Sequence, residues 1–220
     1  MRTLSVVSLL VLLSGCYDGA TTTVALDVKA GTAHVVQRLH NAWPDSVGCD
    51  APDSVESCVA GVRTHLEDAR AELVTNGATV ATAGVILADG KLDILYDYVA
   101  AVGAKALSKQ DLTFLYLEDR TQGQVEKGKP GKKRVAMITL PISGGETTTT
   151  VEGKYRLLSA QTDEAALSVH VFRGKSASIT SEWVYVPDAE GKKSPGAWLK
   201  ERPGLEEALR ASGMVVEPPV

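Results

Sequence analysis

The sequence predicts an α+β fold: a mainly antiparallel β-sheet with one long amphipathic helix and a short C-terminal helix. Three observations lead there. Segments rich in Val, Thr and Ile alternate apolar with polar residues and are joined by tight turns, which implies antiparallel pairing. One uninterrupted stretch, from about residue 54 to 75, carries apolar residues at helical spacing. The two helical segments stand apart from the strand runs, whereas a parallel sheet would alternate strand with helix.

Residues 21–28 read as a strand, Lys29-Ala30-Gly31 as a turn, and residues 32–42 as the returning strand. In that second strand Ala33, Val35, Gln37 and Leu39 share one face, and His34, Val36, Arg38 and His40 the other. Trp43-Pro44 breaks the strand. A helix starts near Ser54, with Asp53 as its N-cap and Glu56 three residues on, as in a capping box. Val55, Val59, Val62, Leu66, Ala69 and Leu73 form its apolar stripe, while Arg63, Glu67 and Arg70 lie together on the wet side. Asn76-Gly77 is the stop.

Residues 80–88 and 91–99 form a hairpin across Asp89-Gly90, a dipeptide suited to a type I′ turn. Leu92, Ile94, Tyr96 and Tyr98 face the core there, and Lys91, Asp93 and Asp97 face water. Residues 100–109 read as a short helix. Further strands are expected at 112–117, 134–142, 147–158, 165–172 and 177–186, the last two joined as a hairpin through Arg173-Gly174-Lys175. A final helix covers 203–212, with Pro203 in its first turn, Gly213 past its end, and Leu205 and Leu209 as its apolar contacts. The tail from 214 is an edge strand or a loose end. With no internal repeat and no long linker, residues 21–220 read as a single domain.

The first fifteen residues are of another kind. The apolar run at 4–13 is about half the roughly 20 residues a spanning helix needs. Arg2 before it and the small residues Ser14 and Gly15 after it fit a secretory signal peptide. Leu13-Ser14-Gly15-Cys16 then resembles the lipobox of bacterial lipoprotein precursors. The resemblance covers the leader and Cys16 alone, and the mature domain resembles no family. It implies that residues 1–15 are removed, that the Cys16 sulfur carries a diacylglycerol, and that palmitate or a similar acyl chain anchors the protein to a membrane. Each buried methylene contributes about 0.8 kcal/mol, so two or three chains hold almost irreversibly. Tyr17 stands where an Asp would favour inner-membrane retention. That resemblance therefore points to the outer membrane, facing the periplasm or the cell surface. Residues 16–20 are expected to act as a short tether.

Arg2 is the only charge in the leader, so cleavage takes the net charge from −4 to −5. Mild acidity of this kind argues against a nucleic-acid partner. Cys49 and Cys58 remain once Cys16 is acylated, and in an oxidising compartment they are expected to form a disulfide. Their spacing suits neither a zinc site nor a C-x-x-C redox pair.

No catalytic motif emerges, and no cofactor or metal is expected. Gly123 to Pro130 is a near miss to a phosphate-binding loop, with Pro130 where Ser or Thr should bind magnesium. Lys127, Lys129, Lys132, Lys133 and Arg134 nearby are either a membrane or anion contact or a solvated hairpin tip that guards a sheet edge. His34 and His40 lie some 20 Å apart along one strand, too far for one metal. His65 is expected to be exposed beside its helical stripe. Asp93, Asp97, Glu118 and Asp119 read as outward-facing charges. Trp43, Trp183 and Trp198 read as core and rim packing, with a glycan or peptide groove as the alternative.

The expectation for function is a membrane-anchored envelope lipoprotein whose body is a non-enzymatic module that binds or scaffolds an envelope protein partner. The alternatives are a periplasmic hydrolase with a site assembled from distant loops and a carrier of an apolar or lipid ligand.

Overall fold

The computed structural model describes residues 17–27, 30, 32–50, 54–101, 111–116, 124–127, 134–142, 145–153, 155–161, 165–171, 176–185 and 193–217. Its chain order is β1 (Gly19–Asp27), β2 (Thr32–His40), α1 (Val55–Thr75), β3 (Ala78–Ala88), β4 (Lys91–Ala101), β5 (Asp111–Tyr116) and β6 (Gln124–Lys127). There follow β7 (Arg134–Ile142), β8 (Gly145–Gly153), β9 (Tyr155–Gln161), β10 (Ala165–Val171), β11 (Ser176–Tyr185) and α2 (Leu205–Ala211). The larger sheet runs β3-β4-β2-β1-β11-β8-β7-β6, and a smaller one runs β5-β10-β9. Every strand pairing among the described residues is antiparallel. The fold is α+β, as the sequence predicts.

Strand alternation builds the core. Ala33, Val35, Gln37 and Leu39 of β2 are all buried, and so are Leu92, Ile94, Tyr96, Tyr98 and Ala100 of β4. Burial pushes the Tyr98 hydroxyl pKa up to about 12 and raises that of Tyr96 as well, so both rings stay neutral. Helix α1 covers this face with Cys58, Val62, Leu66 and Leu73 buried, and Leu205 and Leu209 of α2 join the same core. Each large apolar side chain buried this way contributes about 1.5–3 kcal/mol, more than any local helix propensity.

The local signals hold with some shifts. Ser54 is the N-cap of α1, accepting a hydrogen bond from the Ser57 N–H at 3.2 Å. The expected cap, Asp53, lies outside the described residues. Asp89 and Gly90 both have positive φ, 54° and 77°, as a type I′ turn requires. The predicted 203–212 helix is shorter, because a 3-10 turn at Trp198–Glu201 and the Pro203-Gly204 turn precede α2. The tail forms no strand of its own but makes one isolated bridge beside β3. Val85 N–H donates to Met214 O and Val216 N–H to Val85 O, both at 2.9 Å, in a parallel bridge along β3.

Several boundaries are corrected. Residues 147–158 divide between β8 and β9, which belong to different sheets, and β6 lies inside the expected 122–133 loop. β10 and β11 form no hairpin: β10 pairs with β5 and β9, and β11 with β1 and β8. Alternation reveals that a segment is a strand, but the sheet it joins depends on distant partners. The predicted helix at 100–109 gives way at its start to Ala100 and Ala101 of β4, and the remainder lies outside the described residues. At the N-terminus Tyr17 is 2% exposed and Gly19 already belongs to β1, so the expected tether at 16–20 is taken up into the folded body from Tyr17 onward.

A 3-10 turn at Pro44–Val47 leads to Gly48, whose φ is +65°. The Cys49–Cys58 disulfide then ties this segment to the first turns of α1, with Cα atoms 4.4 Å apart. Gly61 on α1 packs against the Gly48 backbone so tightly that a Cβ there would overlap Gly48 O. Replacing both cysteines by Ser should lower the unfolding free energy by about 2.5–3 kcal/mol, the loop-closure value, in urea titrations. Gly61→Ala should cost about 1–3 kcal/mol, because rigid backbone occupies the space. A wild-type midpoint for that variant would refute the close approach.

Candidate functional site

The outer face of the sheet carries the polar residues that the core rejects. On β2 this face holds His34, Arg38 and His40, and on β4 it holds Asp93 and Asp97. In register His34 lies opposite Val99 and Arg38 opposite Leu95, so each basic side chain meets its carboxylate on the diagonal, two residues along. His34 Nε2 is 2.6 Å from Asp97 Oδ1. Arg38 donates from Nε at 2.7 Å, with Nη2 at 2.6 Å, to Asp93 Oδ2.

Asp93 is the deepest of these groups, at 7% exposure. Its Oδ1 accepts the Asn41 backbone N–H at 2.8 Å, and His40 Nδ1 lies 3.5 Å from Oδ2. Burial pushes its pKa up, but hydrogen bonds from His40, the Asn41 N–H and Arg38, with the Arg38 charge, outweigh that and hold it below the ordinary carboxylate value. The expectation that Asp93 faces water is therefore corrected. Leu95, on the same face, is buried as well.

Beside this ladder lies a second polar knot. Asn41 sits at φ 47°, a left-handed conformation that Asn tolerates. Its Nδ2 donates to Asp18 Oδ2 at 2.7 Å and to Gly196 O at 2.9 Å. Asp18 also accepts from Trp43 Nε1 at 3.0 Å and Ser194 Oγ at 2.8 Å. Trp43 is buried, with its ring edge-on to Tyr185 at 5.3 Å between centroids. Trp198 is buried too and donates from Nε1 to Ala42 O. Both tryptophans are thus packing residues. The Trp183 side chain lies outside the described residues.

Thr21 Oγ1, His40 Nε2, His40 Nδ1 and Asp93 Oδ2 follow one another at 2.8 and 3.5 Å, the connectivity of a hydroxyl–imidazole–carboxylate relay. Two features work against nucleophilic use. Arg38 shares Asp93 Oδ2 with His40 and drains its capacity to support an imidazolium. Thr21 also lies in mid-sheet between Arg38 and Glu182, where the ladder engages the backbone N–H groups that an oxyanion hole would need. The arrangement is better suited to presenting paired charges than to making a nucleophile.

No protein-family model, curated protein or solved structure matches the chain.

Among the described residues no group of three or more His, Cys, Asp or Glu could hold a metal ion. No helix among them is long and apolar enough to cross a membrane. His65 is half-buried on α1, contrary to the expected exposure, and burial lowers its pKa against the opposing pull of Asp68. Of the basic cluster, Lys127 ends β6 and Arg134 begins β7, two strands that pair antiparallel. Lys129, Lys132 and Lys133 lie outside the described residues, as do Cys16, Glu118 and Asp119. Reading along the sequence missed the β2–β4 ladder. The usable signal was the matching four-residue spacing of His34 and Arg38 with Asp97 and Asp93.

Because the folded pKa of Asp93 is depressed, its ionised form stabilises the fold above the ordinary carboxylate value near 3.8, and that contribution is lost as pH falls through the lower folded value. Asp93→Asn should cost about 1–3 kcal/mol at neutral pH, the worth of charge-assisted hydrogen bonds. The gap to wild type in urea unfolding should narrow below about pH 4. A gap that stays constant into acid would remove the ladder from the stability of the sheet.

Proposed function

We propose that this chain is a lipid-anchored protein of the bacterial cell envelope whose folded body binds a protein partner and catalyses nothing. The observation that carries the reading is the Leu13-Ser14-Gly15-Cys16 motif behind a short apolar leader, one residue before the buried Tyr17. Acylation at Cys16 holds the body at a membrane, most consistently the outer membrane because Tyr17 stands in the sorting position. The partner site is the outer face of the sheet. Across five strands one row presents Thr79, Val99, His34, Ala25 and Ser178, and Val36 and Thr23 lie in the next. The His34 side chain is 51% exposed and Val99 is 37% exposed, so apolar and polar groups are mixed as at the rim and core of non-obligate interfaces.

A hydrolase is the second reading, favoured by the Thr21–His40–Asp93 relay alone. An adduct of a fluorophosphonate on Thr21 would put it first.

Cys16→Ser should abolish fatty-acid labelling and leave the leader uncleaved. With the anchor intact, a photo-crosslinking residue at position 34 should yield one discrete adduct in whole cells, whereas the same residue at position 63, on the wet side of α1, should yield none. Palmitate incorporation unchanged in Cys16→Ser would end the anchor. Equal crosslinking at the two positions would end the assignment of the face.

A further inference from the structure

This inference rests on the anchored reading above and concerns how the anchored body meets its membrane. We propose that the end of the larger sheet formed by the start of β1, the Pro44–Val47 turn and the end of β11 lies directly on the lipid headgroups, with the strands pointing away from the bilayer. Tyr17 is bonded to Cys16, and its side chain is in the core. Asp18 N–H donates to His40 O at 2.9 Å, and Asp18 O accepts from Tyr185 N–H at 3.0 Å. With the Asp18 carboxylate bound as well, the two residues after Cys16 have no length to pay out. Consecutive Cα atoms are about 3.8 Å apart, so the acylated residue starts that close to the folded body.

The place where the chain enters the sheet fixes the direction. β1 is the fourth of eight strands, so the anchor emerges from the middle of the sheet end, between β2 and β11. Tilting to either side brings the ends of neighbouring strands against the bilayer. Gly19 is in register with His40 on one side and Val184 on the other. Val184, at 57%, is the most exposed large hydrophobic side chain among the described residues. Tyr185, the next residue, is half-buried with its ring edge-on to the buried Trp43, and Tyr is favoured at headgroup level. The exposed charges at this end, Asp45, Asp50 and Asp89 with Lys91 and Lys193, are of both signs, so the place of the anchor sets the contact and no single-sign patch does.

The same register places Arg134 away from the membrane. Leu26 aligns with Ala177, Ala177 with Gly153, and Gly153 with Arg134. Arg134 therefore lies at the far end of the sheet, about 23 Å from the Gly19 end at 3.3 Å per residue. That exceeds the screening length of about 8 Å at physiological salt, so the bilayer surface gives Arg134 little attraction.

The test uses the full lipidated protein in phosphatidylcholine–phosphatidylglycerol vesicles that contain a headgroup-nitroxide lipid. An environment-sensitive dye is placed on Val184→Cys or on Asn76→Cys, at the far end after α1, and the Cys16 acyl mass is measured first. Quenching should be several-fold stronger at 184 than at 76. A Gly-Ser linker of about ten residues between Cys16 and Tyr17, with a reach of some 17–19 Å, should bring the two positions together. Equal quenching in the acylated protein without the linker, or stronger quenching at 76, would overturn the orientation and leave the anchor standing. An unmodified Cys16 would overturn the anchored reading itself.

Discussion

The hydrogen bonds gathered by Asp18 are the constraint on which the molecule depends. One residue ties four stretches of chain. Its backbone bridges the end of β2 and the end of β11, and its carboxylate holds Asn41, Trp43 and Ser194. A half-buried carboxylate needs such donors, because desolvation without them costs several kcal/mol. Through these contacts the first strand is clamped at its start, and the segment that leads to Trp198 and α2 is held against β4. Leu199 N–H donates to Gly90 O at the β3–β4 turn, closing the circuit.

The sheet separates two kinds of chemistry by its pleat. One face is apolar and packed under α1, α2 and the disulfide-tied 44–58 segment. The other carries hydrogen-bonded polar pairs whose depth varies from the half-exposed His34 to the buried Asp93. A buried carboxylate flanked by Arg38 and the Asn41 backbone pins β2 to β4 in one register, since a one-residue slip would carry every charge to the apolar side. The same pairing argues against catalysis, because groups that neutralise one another in the ground state are poor general bases.

The proposed anchor, having no slack, would change what the anchored body can do. A body on a long tether samples many orientations and meets partners at a range of heights. On the proposed reading, the buried Tyr17 and the first ladder bonds of β1 would couple an acylated Cys16 closely to the sheet. The outer face would then stand at a set angle to the bilayer and search for partners in a plane, with less orientational freedom to lose on binding.

Local chemistry was legible in the sequence. The Asp89-Gly90 turn, the stripe of α1, the alternation of β2 and β4, and the pairing of Cys49 with Cys58 follow from spacing and residue type, because each depends on neighbours along the chain or on compartment chemistry. The candidate site was less so. His34, Arg38, Asp93 and Asp97 were visible as charges, but α1 and β3 separate β2 from β4 in the chain, and nothing local announces that the two strands pair. The same holds for β10 and β11, which look like a hairpin and belong to different sheets. Tyr17 and Asp18 read as tether for the same reason: a short polar stretch becomes structure only when Asn41, Trp43 and Ser194 arrive from elsewhere. Sequence by itself determined the fold class, most of the elements and the Cys49–Cys58 pair. Tertiary structure alone decided partners and depth, because those energies come from contacts between residues far apart in the chain.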